Sequence, residues 1–285
     1  MKRGILFVLA ALVGLLACGE EEGEYQFGEF IGAGLEPAWG NNRLIAFSTS
    51  SDIYTCDEYG KNRENITNNL PYDYVESPAW SPDCKYIVYS QFREENMRMA
   101  LYIIPAEGGE RRLLVEEGEN PAWSPDGKWI AYVAPAGEIK NNLWIIPAEG
   151  GTSRRLTSEY YVSAPTWAPG GGWIIFTGNN KTSGNNFWAM KWESRQINKL
   201  TPEYKYYNYG SPSMRADGGW VAFSYYPEYG PSDIWAFNVK TKEFRPVTRV
   251  WDEPFAGASE PSWAPDRRRV VYTYGNGLYR INVNF

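Results

Sequence analysis

Chemistry on this chain falls to carboxylates and phenols, because its 285 residues include no histidine. That removes Ser-His-Asp and Cys-His catalysis, imidazole acid–base work and histidine-ligated zinc. No Gly-x-Ser-x-Gly elbow and no Gly-x4-Gly-Lys-[Ser/Thr] loop occurs either. The Glu-Gly-Gly runs at Glu107–Gly109 and Glu149–Gly151 read as hairpin turns, not phosphate cradles. The acids best placed for chemistry are Asp73, Glu76, Glu119, Asp252, Glu253 and Glu260, in connections that the pattern puts on one face. Two carboxyls at roughly 5 to 9.5 Å form a glycosidase pair; the ordinary state of a loop acid is solvation. Oxygen-rich loops suit calcium, but no EF-type spacing is present, so neither metal nor cofactor is expected.

The phenols gather more conspicuously than the acids. Tyr72, Tyr74, Tyr160, Tyr161, Tyr204, Tyr206, Tyr207 and Tyr209 precede repeated strands. Tyr225, Tyr226 and Tyr229 lie in one connection, and Trp251 and Phe255 precede the last repeat. Tyrosine offers a large rigid contact area with a polar tip, which suits recognition loops. The cluster is therefore the expected ligand-binding surface, for a protein, peptide or glycan. The alternative for each ring is packing its loop onto a neighbouring strand.

The elements that hold these loops repeat six times. Pro-Ala-Trp-Ser-Pro-Asp-Gly at Pro121–Gly127 returns at Pro78 and Pro261, and more weakly at Pro37, Pro165 and Pro212. The steps between opening prolines are 41, 43, 44, 47 and 49 residues. Such a period with strand-like content marks units too thin to bury their own faces, which must stack on neighbours. In the third copy, Asn120–Ser124, Trp129–Val133, Leu143–Pro147 and Arg154–Thr157 read as four strands. The Asp-Gly turn between the first two fits a side chain that caps its own backbone and a residue free to take positive φ. The fold class is all-β, a six-bladed propeller of four-stranded antiparallel blades. Trp39, Trp80, Trp123, Trp167 and Trp263 are expected to fill the wedges between blades, with Met214 standing in at the fifth copy. The sixth copy supplies only three strands, so Tyr25–Ile31 is expected to pair with Leu278–Val283 and close the ring.

The first 17 residues read as a leader rather than fold: Lys2 and Arg3, an apolar Ile5–Leu16, then Leu15-Leu16-Ala17-Cys18. That run is similar to a bacterial lipobox, which implies lipidation of Cys18 and anchoring to a membrane of the cell envelope. Residues 18–24 are an acidic tether, and residues 25–285 the propeller. Losing Lys2 and Arg3 takes the formal charge from −6 to −8, a poor balance for binding nucleic acid. Cys56 and Cys84 are left open between a disulfide and two free thiols, since their turns sit at different radii.

The Pro-x-Trp-Ser-Pro-Asp-Gly copies, each followed by an alternating strand, and Arg154-Arg155-Leu156-Thr157 resemble the repeats of TolB-type propellers. Echoes stand at Arg111-Arg112-Leu113, Lys199-Leu200-Thr201 and Ile66-Thr67. The resemblance covers residues 33–285 and implies the fold rather than a reaction. TolB-type proteins carry an α/β domain before the propeller; the residues between tether and first copy are too few for it, so a free-standing, monomeric propeller is expected. Similar repeats occur in the non-catalytic propellers of prolyl-oligopeptidase-type peptidases and in pectate-degrading lyases, whose metal site uses histidines absent here. The resulting expectation is a lipid-anchored envelope binding or scaffolding module and no enzyme. A carbohydrate-active enzyme using paired carboxylates is the alternative.

Overall fold

The computed structural model describes residues 27–68, 74–136, 141–158, 161–179, 185–201, 208–250 and 257–285. Among the described residues, 24 strands form six four-stranded antiparallel sheets. Blade one comprises β2 (Leu35–Trp39), β3 (Ile45–Ser48), β4 (Ile53–Cys56) and β5 (Glu64–Asn65). Blade two comprises β6 (Val75–Trp80), β7 (Tyr86–Arg93), β8 (Arg98–Pro105) and β9 (Arg112–Val115). Blade three comprises β10 (Glu119–Trp123), β11 (Trp129–Pro135), β12 (Asn141–Pro147) and β13 (Arg154–Arg155). Blade four comprises β14 (Tyr161–Trp167), β15 (Trp173–Asn179), β16 (Asn186–Lys191) and β17 (Gln196–Lys199). Blade five comprises β18 (Asn208–Met214), β19 (Trp220–Tyr226), β20 (Asp233–Asn238) and β21 (Phe244–Pro246). Blade six comprises β22 (Ala258–Trp263), β23 (Arg269–Tyr274), β24 (Gly277–Asn282) and, from the other end of the chain, β1 (Glu29–Ala33). The first strands of successive blades touch in turn, and β2 touches both β6 and β22, so the ring is closed.

Closure uses the N-terminal segment as the outer strand of blade six. Glu29 pairs with Arg280 and Ala33 with Gly277, so the strand expected within Tyr25–Ile31 is found at Glu29–Ala33, ending two residues beyond Ile31. A bulge interrupts the pairing between Phe30 and Gly32, where Gly32 takes φ 136°. Gly28 N–H donates to the Tyr272 hydroxyl at 3.0 Å, and Phe27 meets Tyr274 and Tyr279 edge-on. Tyr25 and Gln26 lie outside the described residues.

The repeat motif explains itself atom by atom. In blade three the Ser124 hydroxyl donates to Asp126 at 2.6 Å and accepts the Trp129 N–H, while Gly127 sits at φ 73°. Cys84 holds the same turn position in blade two at φ 58°. The Leu-Thr ending works equally locally. Thr157 accepts Leu143 N–H and donates to Asn142; Thr201, Thr248 and Thr67 repeat this with Asn186, Asp233 and Asp52. Each threonine thus seals the end of an outer strand to the third strand of its blade. Trp39, Trp80, Trp167 and Trp263 are buried between blades, and the Trp80 and Trp167 indoles donate to Ala38 and Ala122 of the preceding blade. Cys56 and Cys84 are free thiols.

Every first strand carries the same irregularity, and it is the reason for the repeated proline. The register slips by one residue just before Pro37, Pro78, Pro121, Pro165, Pro212 and Pro261. The residue ahead of each proline has positive φ: Glu36, Ser77, Asn120, Ala164, Ser211 and Glu260, between 43° and 55°. Proline has no N–H to give to a ladder, so a sheet tolerates it at a bulge. Left-handed backbone costs a non-glycine residue roughly 1–2 kcal/mol. Six such residues therefore form a strained ring on the innermost strands.

Candidate functional site

Two of the strained residues are glutamates, and they join four blades. Ser224 Oγ of blade five accepts Glu260 N–H at 2.9 Å. The Glu260 carboxylate accepts the Thr273 hydroxyl and the N–H of Glu36 in blade one, at 3.0 and 3.1 Å. The Glu36 carboxylate in turn accepts the Ser48 hydroxyl at 3.1 Å and the N–H of Ser77 in blade two at 2.6 Å. A hydroxyl on each second strand sets this up: Ser48, Ser90, Thr177, Ser224 and Thr273 occupy corresponding positions, and Val133 replaces the hydroxyl in blade three.

Glu76 and Glu119 sit one residue further from their prolines and extend the acids into an inner arc over blades six, one, two and three. Burial, then the charge of Glu260, pushes the Glu36 carboxyl from the ordinary 4.5 up to about 8, against the Ser77 N–H, which lowers it. Burial also raises Glu260, with Glu76 adding to it, and raises Glu119, again helped by Glu76. Among the described residues no ion pair reaches Glu36, Glu76, Glu119 or Glu260. No group of three or more acids or cysteines among those residues is arranged to hold a metal ion.

Sequence reasoning placed Glu76, Glu119 and Glu260 in connections; they stand on the first strands β6, β10 and β22. Asp73, Asp252 and Glu253 lie outside the described residues. Glu36 was missed, although a signal for it existed: Glu-Pro occurs at 36–37 and again at 260–261, in equivalent copies.

The tyrosines divide. Tyr74 before β6, Tyr161 at the start of β14, Tyr226 at the end of β19 and Tyr229 beyond it are exposed. All lie where chains pass between blades or from second to third strands, hence at one mouth of the ring. Tyr74 donates to Glu76 at 2.9 Å, linking that mouth to the inner acids. Tyr226 lies against Gly210, where a Cβ would meet its ring at 2.9 Å. Tyr209 corrects the sequence reading: it is only 4 % exposed, on β18, packed among Phe187, Phe223 and Phe244. The strand starts four residues ahead of Pro212 because the bulge lies inside it, and this turns Tyr209 into the core. Tyr225 is half-buried on β19 against Trp235. Tyr72, Tyr160, Tyr204, Tyr206, Tyr207, Trp251, Phe255 and Cys18 lie outside the described residues.

These features define a class: a closed six-bladed β-propeller with acids on its inner ring and tyrosines at one mouth. Within that class the assignment is direct, since the TolB beta propeller domain model matches residues 41–282 and the chain belongs to that family. Its structure is similar to a protein assigned as a TolB in Agrobacterium tumefaciens, with TM-score 0.71 and 18% identity over 90% of this chain and 91% of that one. TolB from Acinetobacter baumannii gives 0.68 and 19%, over 90% of this chain and 64% of that longer one. An oligogalacturonate lyase in complex with manganese gives 0.61 and 15%, over 87% and 76%. At these identities the likeness is one of fold. No curated protein sequence matches the chain.

Proposed function

We propose that this chain is a binding or scaffolding module of the bacterial cell envelope, taking a protein, peptide or glycan at the tyrosine-lined mouth of the propeller. The observation that carries the reading is the exposure of Tyr74, Tyr161, Tyr226 and Tyr229 at one mouth, above an acidic inner arc. Aromatic side chains on a rigid scaffold are the common currency of recognition surfaces. Anchoring through lipid on Cys18 belongs to the same reading and rests on the sequence of the leader alone. The enzymatic alternative draws on the raised carboxyls of Glu36 and Glu260. Both carboxylates, however, are engaged in holding backbone N–H groups of the next blade, a structural task that a proton-shuttling acid would interrupt.

The test is a Tyr74→Ser, Tyr161→Ser, Tyr226→Ser triple variant compared with the parent chain in quantitative capture from detergent-solubilised envelopes. Loss of a specific partner at an unchanged melting temperature supports the reading. Undiminished capture places the site elsewhere. Release of reducing sugar from pectic or other envelope glycans, lost in Glu36→Gln, would favour the enzyme.

A further inference from the structure

The two mouths of the ring differ in where the chain enters the fold. β1 starts with Glu29 opposite Arg280, and β24 ends with Asn282 opposite Arg269, the first residue of β23. That end of the blade carries the first-to-second and third-to-fourth strand turns, away from the tyrosine mouth. Phe27 therefore enters at the opposite mouth, on the outer edge of blade six, with blade one beside it.

Three exposed aromatic side chains gather at this corner. Phe27, Phe30 and Tyr59 are 48 %, 58 % and 56 % exposed. Phe27 and Phe30 both lean on the Tyr279 ring, with centroids 5.2 and 5.4 Å from it. Phe27 and Tyr59, the latter from the third-to-fourth turn of blade one, line a cavity of about 380 Å³ with Arg269 and Arg280. Those two cations are already engaged. Arg280 lies over the Tyr59 ring, pairs with Glu29 and donates to the Glu58 carbonyl, while Arg269 pairs with Glu58 and Asp266. The corner is thus an aromatic surface with its charges neutralised, not an anion socket.

Contiguous exposed apolar surface marks a contact with a partner or a membrane, and chain length decides which. Cys18 stands nine residues ahead of Phe27. Such a segment spans at most about 30 Å fully extended and about 15–18 Å on average as a flexible coil. Of the whole propeller, this corner is what a lipid on Cys18 would hold nearest the bilayer. Residues 19–24 are glycine and glutamate only, so that stretch has no apolar side chain with which to cover the aromatic surface itself.

We infer that this corner docks in the headgroup layer of the bilayer carrying the Cys18 lipid, with Phe27, Phe30 and Tyr59 in the interface. The inference rests on the anchoring part of the proposed function. Aromatic rings favour that layer, where an apolar body is buried and polar edges stay wet. With Arg269 and Arg280 neutralised in place, the contact needs no anionic lipid. A propeller held this way turns Tyr74, Tyr161, Tyr226 and Tyr229 to the aqueous side, where a partner can reach them.

The experiment places p-benzoylphenylalanine at Phe30, or separately at Tyr59, in the full-length chain reconstituted into phosphatidylcholine nanodiscs. Tyr161 and Leu113 are the control positions: both are exposed, one at the other mouth and one on the outer strand of blade two. After irradiation, mass spectrometry should find phospholipid adducts at Phe30 and Tyr59 at least tenfold above both controls. Equal yields at Phe30 and Leu113, or more lipid at Tyr161 than at Phe30, would overturn the docking. So would a discrete protein adduct at Phe30 in place of lipid when intact envelopes are irradiated. The intact mass of the parent chain reports acylation of Cys18 separately. An acylated chain with no lipid at Phe30 overturns the docking alone, whereas an unacylated Cys18 overturns the anchor and the docking with it.

Discussion

The carboxylate of Glu36 accepts the backbone N–H of Ser77, one blade further round the ring, at 2.6 Å. Glu36 N–H donates in the other direction to Glu260. Blades six, one and two are thereby coupled through residues that are themselves held at positive φ. The acid does its work while buried, and burial is what lifts its pKa to about 8.

The first prediction concerns pH. Below about 4.5 both folded and unfolded chains hold the Glu36 proton, and its contribution to stability is complete. Between 4.5 and 8 the folded state keeps a proton that the unfolded chain releases, so stability falls as pH rises. Above 8 the dependence ends. Glu36→Gln keeps an oxygen for Ser77 N–H and removes the ionisation. Its melting temperature should change less between pH 5 and 8 than the parent's, and at pH 8 should exceed it by about 3 °C or more. Glu260, Glu119 and Asp233 are raised in the same sense, so the slope should shrink without vanishing. Parallel curves for variant and parent would refute the assignment.

The second prediction concerns closure. Deleting residues 29–33 strips the outer strand from β24 and uncovers Leu278, which is fully buried. The melting temperature should drop by about 5 °C or more, with concentration-dependent aggregation from the bared edge. Light scattering and calorimetry together check it; an unchanged transition would mean that the strand is decorative.

A third prediction tests the Leu-Thr seal. Thr157→Val preserves shape but leaves Leu143 N–H without its 2.9 Å acceptor in a buried site. The expected loss is about 1–3 kcal/mol, measured by urea unfolding with an unaltered m-value. Loss of less than about 0.5 kcal/mol would show that water replaces the hydroxyl.

A fourth concerns Cys84, which holds φ 58° where blade three has Gly127. Cys84→Gly should stabilise by about 0.5–1 kcal/mol. Because both thiols are free, reductant should leave the parent's melting temperature where it is. A drop on reduction would reveal a disulfide.

Much of the architecture was readable because each repeat carries its own local instructions. Ser124, Asp126 and Gly127 specify a turn that needs nothing beyond themselves, and Pro121 marks a bulge wherever it recurs. The same bulge also hid what was misread. Strand periodicity carries side-chain direction only while the register is unbroken. The first strand of blade five runs through the bulge at Ser211 and begins at Asn208, so Tyr209, expected in the connection before it, lies on the strand and in the core. Glu36 escaped notice because acids were sought in loops. Its role depends on Ser77 and Glu260, 41 and 224 residues away, which no local pattern brings together.

The central claim is that partners meet the tyrosine-lined mouth. A photo-crosslinking residue placed at Tyr226 tests it most directly, with Tyr86 as the control: Tyr86 is comparably exposed at the start of β7, on the opposite mouth. In irradiated cells the Tyr226 position should yield one discrete adduct and the Tyr86 position none. An adduct at Tyr86 with none at Tyr226 would contradict the account.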